Sequence, residues 1–146
     1  MKRGYPMKLN SLRFCADASN QLSFLKARTG LTPNILCRFG FMLSLNDPTL
    51  PNPNDYPPDS DRIIERHVLT GLWDPLFVAL LKERCLQDGV SLDDETLAAH
   101  FKAHMNRGVL LLFKRVRSLN DLALLMPRDI CQEGQNEIVI EVDHAE

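Results

Sequence analysis

The chain has 146 residues, enough for one domain with a conventional core, and 45% apolar with 25% charged residues is the balance of a globular protein in water. Its longest apolar run, Leu76–Leu81, is far too short to span a bilayer, and MKRGYPMKLN at the start lacks the apolar stretch of a secretory signal; a cytoplasmic protein is expected. The net charge of −2 hides an asymmetry: residues 1–45 carry Lys2, Arg3, Lys8, Arg13, Lys26, Arg28 and Arg38 against Asp17 alone, while the remainder is acidic. Such a distribution suits a polyanion partner for the first third, the plainer alternative being a solvated basic face.

Residues 1–6 read as a flexible extension and Lys8–Phe14 as an extended segment carrying Leu9, Leu12 and Phe14. A helix pair over 18–45 follows. Its first helix places Ala18, Leu22 and Leu25 at helical spacing and should end near Arg28. Gly30 can close it in a left-handed conformation, Thr32 can offer its side-chain oxygen as a cap, and Pro33 suits the first turn of the second helix. That second helix has Ile35, Leu36, Phe39, Met42 and Leu43 on one face and Cys37, Phe41 and Leu45 on the other. A helix apolar on both sides belongs in a core, at a subunit interface, or both.

The stretch 46–60 holds Pro48, Pro51, Pro53, Pro57 and Pro58, a density that excludes helix and central strand and predicts an extended loop that Tyr56 could pin. Arg62–Thr70, rich in β-branched residues, predicts a strand ended by Gly71. Asp74 and Pro75 begin a helix that Gly89 closes. Ser91 with Asp94 has the form of a capping box for a helix striped by Leu97, Phe101 and Met105, which Gly108 should interrupt before the buried run Val109–Phe113. Ser118 with Asp121 repeats the capping pattern, Pro127 should stop the last helix, and Glu137–Val142 alternates as a strand. The fold class predicted is therefore mainly α, a compact domain of about five to six helices around the pair 18–45, with short strands near the termini. The domain would cover 7–127, with 128–146 as a tail. A strand before two helices also resembles the order of a ribbon-helix-helix DNA-binding protein.

No glycine pattern of a phosphate-binding loop is present, so nucleotide hydrolysis is not expected. His100 and His104 lie one helical turn apart, but the pattern lacks the glutamate of H-E-x-x-H and a dependable third ligand, so neither a metal nor a cofactor is expected. The four cysteines, Cys15, Cys37, Cys85 and Cys131, have no C-x-x-C spacing and read as reduced thiols. No Ser-His-Asp or Cys-His constellation can be assigned, which makes binding the expected role. The residues proposed to meet phosphates are Lys26, Arg28, Arg38, Arg13 and Lys8, with Lys114, Arg115 and Arg117 as a second basic group. Phe39, Phe41, Met42 and Cys37 are the expected contacts between copies.

Three segments, LKARTGLTPNILCR (Leu25–Arg38), LFVALLKERCLQDG (Leu76–Gly89) and HMNRGVLLLFKRVRSLNDLALLMP (His104–Pro127), resemble the DndE family of the DNA phosphorothioation machinery, over roughly residues 7–127. TGLTPNILCR is the most specific part. The resemblance implies a helical, non-enzymatic subunit of a restriction-modification type system, assembling as a homotetramer and binding duplex DNA, preferably nicked. It further implies a cysteine desulfurase, a sulfurtransferase and an ATPase as partners. Lysines of the helix pair are implied in DNA contact; Lys26 and Arg28 match, whereas Ser23 stands where a basic residue would be at home. Two rival expectations are a ribbon-helix-helix repressor and a sulfur carrier using a persulfide on Cys131.

Overall fold

The structure, a computed structural model, describes residues 7–125. The expected extension 1–6, the stop at Pro127, Cys131, the tail 128–146 and the strand at 137–142 lie outside the described residues. Within them the chain is mainly helical. Strand β1 (Ser11–Arg13) precedes helices α1 (Ala16–Thr29) and α2 (Pro33–Asn46); after the proline-rich loop come β2 (Ile63–Glu65), α3 (Arg66–Thr70), α4 (Asp74–Gln87) and α5 (Asp94–Arg115). A 3-10 stretch, Leu119–Leu125, ends the described chain.

The helix pair forms where its sequence predicts. In α1, Ala18, Leu22, Leu25 and Thr29 make one buried stripe, and Gly30 at φ 76° closes the helix by donating its N–H to the Lys26 carbonyl at 2.8 Å. Thr32 occupies the cap position of α2, but its hydroxyl donates to the Asn34 side chain instead of accepting from the helix. The amide that α1 exposes at Ala16 is taken by Asp59 at 2.7 Å, a carboxylate supplied by the proline-rich loop.

Helix α5 is the central element and packs most extensively on α2. The predicted interruption at Gly108 does not occur: α5 runs unbroken through it, because the glycine serves packing rather than a turn. Gly40 of α2 and Gly108 of α5 face each other so closely that a Cβ on Gly40 would lie 2.6 Å from the Gly108 carbonyl carbon. Hydrogen atoms in place of side chains let the two backbones approach at that crossing. Around it Phe41 meets Phe77 and Phe101 at ring-centroid distances of 5.2 and 5.4 Å. Phe41 and Cys37 are 0% exposed in this single chain, so neither can touch a second copy in this conformation. Their expected place at an oligomer interface is thereby corrected: the second apolar face of α2 is covered by α4 and α5 of its own chain.

Only the first part of the strand predicted at Arg62–Thr70 is extended. β2 pairs antiparallel with β1, Leu12 opposite Ile64, and the chain then turns into α3. Arg66 explains the switch. Its guanidinium grips Asp74 at 2.8 and 2.9 Å and the Met7 carbonyl at 2.6 Å, while Thr70, one turn on, donates to the carbonyl of Arg66. Those tertiary bonds hold the segment helical despite its β-branched residues. β1 therefore has a partner in its own chain, which differs from the two-copy strand pair of a ribbon-helix-helix dimer.

The cap of α5 is Asp93, not Ser91, and it accepts from the Thr96 amide at 2.7 Å. Asp121 instead reaches backwards, its carboxylate accepting from the Arg117 and Ser118 amides at 2.8 and 3.2 Å, the bond to Ser118 being the half of a capping box that the Ser118–Asp121 spacing allows.

Candidate nucleic-acid interface

Two helices that end side by side build the main basic surface. Cys15, at the start of α1, donates its N–H to Asn106 of α5 at 3.0 Å, and near the other end of α1 Phe24 meets Phe113 of α5 with ring centroids 6.3 Å apart. The helices thus run in the same direction and bring their carbonyl-bearing ends together. Positive charge is favoured at such ends, and both supply it: Lys26 and Arg28 in the last turn of α1, Lys114 and Arg115 in that of α5.

Arg28 lies against Phe113, its guanidinium carbon 4.5 Å from the ring centroid, a cation–π contact that orders the arginine without neutralising it. Lys114 and Arg117 line the same open cleft of about 450 Å³. The ion pairs among the described residues lie elsewhere, at Arg66, His67, Arg84 and Arg107. The nearby acid Asp121 is turned to backbone amides. The cleft thus presents three cations around Phe113, and Phe24, 57% exposed, packs against that ring from outside the cleft.

The other sequence-predicted cations are distributed differently. Lys26 is exposed, but two positions from Arg28 it points about 200° away around α1. It follows Ser19 and Ser23 along the opposite flank, where Arg62 donates to both serine hydroxyls at 3.1 and 2.7 Å. A cation from β2's approach therefore stands beside Ser23, the position where a basic residue would be at home. Lys8 and Arg13 meet Lys102 in a cleft beneath Pro53, Tyr56 and Pro58 that also contains Asp94 and Glu95, so its charge is mixed. Arg38 is held by the fold: it donates to the carbonyls of Leu69 at 2.7 Å and Val68 at 3.2 Å, closing the end of α3. Arg115 is exposed beside the main cleft without lining it.

The basic segment 1–45 is therefore not one footprint. Arg28 joins the second group, Lys114 and Arg117, which the sequence leaves far away. The aromatic members were missed, although Phe24 and Arg28 stand four residues apart within α1 and so share a helical side. Of the expected interface residues, Phe39 is 39% exposed and Met42 half-buried on the outer side of α2.

Among the described residues, the cysteines Cys15, Cys37 and Cys85 and the His100–His104 pair sit inside the protein. Burial raises the thiols of Cys15 and Cys37 and pushes that of Cys85 up to about 11, so none is an activated thiolate. His104 is wholly buried, its Nδ1 2.8 Å from the Ser44 hydroxyl, and burial foremost, then Arg107 and Arg84, hold it down to about 3. It is a neutral core imidazole. Among the described residues no three His, Cys, Asp or Glu side chains converge as a metal site would require.

The profile of the family described as "DNA sulphur modification protein DndE" matches residues 11–120. No curated protein matches the sequence. Among solved structures, DndE from Escherichia coli B7A, involved in DNA phosphorothioation modification, superposes with a TM-score of 0.60 at 25% identity, over 73% of this chain and 98% of that one. A DndE variant with two glycines changed to lysine superposes with a TM-score of 0.58 at 23% identity, over 73% of this chain and 99% of that one, a likeness of fold. With the family profile covering most of the chain, and a mainly helical fold shared with these proteins, the chain belongs to the DndE family.

Proposed function

We propose that this chain is the non-catalytic DNA-binding subunit of a DNA phosphorothioation system, acting in the cytoplasm as a homo-oligomer, on the resemblance a tetramer, that holds nicked duplex DNA. Family membership supports the role in sulfur modification. The observation that carries the DNA reading is the convergence of Arg28, Lys114 and Arg117 around one aromatic pair, with no side-chain acid among the described residues pairing them. Three cations around one cleft match phosphates along a strand, and a symmetric assembly would repeat them. A cysteine desulfurase, a sulfurtransferase and an ATPase would supply the chemistry. The buried thiols leave Cys15, Cys37 and Cys85 without a part in it.

A gel-shift series with intact, nicked and operator-like duplexes tests this reading. Binding should be tightest to nicked duplex, vary little with sequence, and fall steeply with salt. Arg28→Ala with Lys114→Ala and Arg117→Ala should weaken binding to every duplex and flatten the salt dependence by about 0.9 in slope for each phosphate that is no longer neutralised. Tight binding to one operator alone would instead establish a repressor. Wild-type affinity in the triple variant would place the DNA surface elsewhere, first at Lys26 and Arg62.

A further inference from the structure

We infer that Phe24 is a stacking surface for a nucleobase released from its neighbours at a strand break, while Arg28, Lys114 and Arg117 hold the adjoining phosphates; this rests on the DNA-binding reading above. The ring sits on α1 outside the buried core stripe of Ala18, Leu22, Leu25 and Thr29, and 57% of its residue surface is exposed. Phe113, tilted 54° to it at 6.3 Å, supports it from one side, and Phe113 is itself covered by the Arg28 guanidinium. The result is an aromatic face standing at the edge of a cluster of cations.

That combination has a chemical preference. An apolar protein surface would not be bordered by three cations that no side-chain acid among the described residues pairs, since their desolvation in an interface core would be costly. A flexible phosphate chain with an accessible base satisfies both parts, phosphates to the cations and a π-face to the ring. In intact duplex the bases are stacked on each other and the ring has nothing to receive. At a nick or short gap one stacking partner is held by a single strand, and the cost of unstacking falls. The aromatic ring thereby supplies discrimination between broken and continuous duplex, which the cations, reading only phosphate charge, cannot supply.

The test uses the full-length protein with intact, nicked and one-nucleotide-gapped duplexes carrying 2-aminopurine beside the break. In the wild type, binding should change the 2-aminopurine fluorescence at the break and leave an internal probe in intact duplex unchanged. Phe24→Ala should lower affinity for broken duplex by roughly 5- to 100-fold more than for intact duplex, the effect of losing one base–aromatic stack, with the salt dependence retained on both. Phe24→Trp should retain the preference. An unaltered preference for broken duplex in Phe24→Ala overturns the stacking role and leaves the DNA reading in place. Absence of any duplex binding by the wild type overturns that reading together with this one. Dissociation of the oligomer by Phe24→Ala, read by sedimentation, overturns the inference by making the ring a contact between copies.

Discussion

Two groups of cations in this molecule have the same chemistry and opposite surroundings. Arg84 and Arg107 are 7% and 8% exposed, at the end of α2. Arg84 donates to the carbonyls of Leu45 and Thr49 at 2.6 and 2.8 Å and pairs with Asp88 at 2.9 Å. Arg107 donates to the Ser44 carbonyl and hydroxyl, each at 2.8 Å, and to the Thr49 carbonyl at 2.8 Å. They close the carbonyl end of α2 and bind the entry of the proline-rich loop. Arg28, Lys114 and Arg117 face a cleft in which no side-chain acid among the described residues pairs them. The donors of the first group are used by the fold, and those of the second meet no side-chain acid among the described residues. Counting basic residues in a sequence does not separate these cases; the acceptors around them do.

The sharpest break in the comparison should come from Arg107→Ala. Truncation removes charge-assisted bonds to the Ser44 hydroxyl and to the Ser44 and Thr49 carbonyls, leaving the carbonyls only the Asp47 amide and Arg84, and a loss of about 3–5 kcal/mol in urea unfolding is expected. Arg107→Lys should recover only part, since one ammonium cannot reproduce a planar fork reaching several acceptors. A change below about 1 kcal/mol for Arg107→Ala, in the sense of an ordinary surface substitution, would show that the fold does not depend on the buried group.

Gly108→Ala comes next, because it displaces the helix on which Arg107 is carried. Its methyl would overlap the Gly40 carbonyl, and the α2–α5 crossing must open, at a cost of about 3 kcal/mol. Thermal unfolding of this variant should resemble that of Arg107→Ala if the close crossing sets the arginine's position.

A pH titration sharpens the buried side further. His104 has a folded-state pKa lowered to about 3, so the unfolded chain binds the proton first. Stability from the neutral imidazole is complete above about pH 6.5 and is lost progressively as pH falls towards 3. Between about pH 7.5 and 5 the loss should be about 2 kcal/mol, and His104→Gln should flatten that slope in urea titrations at several pH values. A slope unchanged by His104→Gln would mean that other groups carry the pH dependence.

The exposed cations should have the smallest effect on folding. Arg28→Ala, Lys114→Ala and Arg117→Ala together should leave unfolding within about 0.5 kcal/mol of wild type per site while weakening DNA binding. Large destabilisation there would erase the contrast between the two groups.

Much of the local architecture was legible. The stripe Ala18–Leu22–Leu25, the left-handed Gly30 and the start at Pro33 are each decided by neighbours a few residues away, and all appear in the structure. Gly108 misled because glycine interrupts an isolated helix yet permits a close crossing in a packed one. Arg62–Thr70 misled because the helical form of its second half is secured by Asp74 and by the N-terminal segment. The candidate site was half legible: Arg28 and the group at Lys114–Arg117 were both recognisable as basic, but as alternatives rather than as one surface.

The sequence by itself determined the mainly helical class, the helix pair, the absence of a long helix or strand from the proline-rich loop and the family, since spacing, caps, proline content and fixed residue order are properties of the chain. Tertiary structure decided which face of α2 is spent inside the monomer, which arginines are consumed by carbonyls, and which cations meet around Phe113. Those outcomes depend on α1 and α5 lying parallel and on two glycines letting α2 and α5 approach, and such contacts arise between segments that local pattern cannot relate.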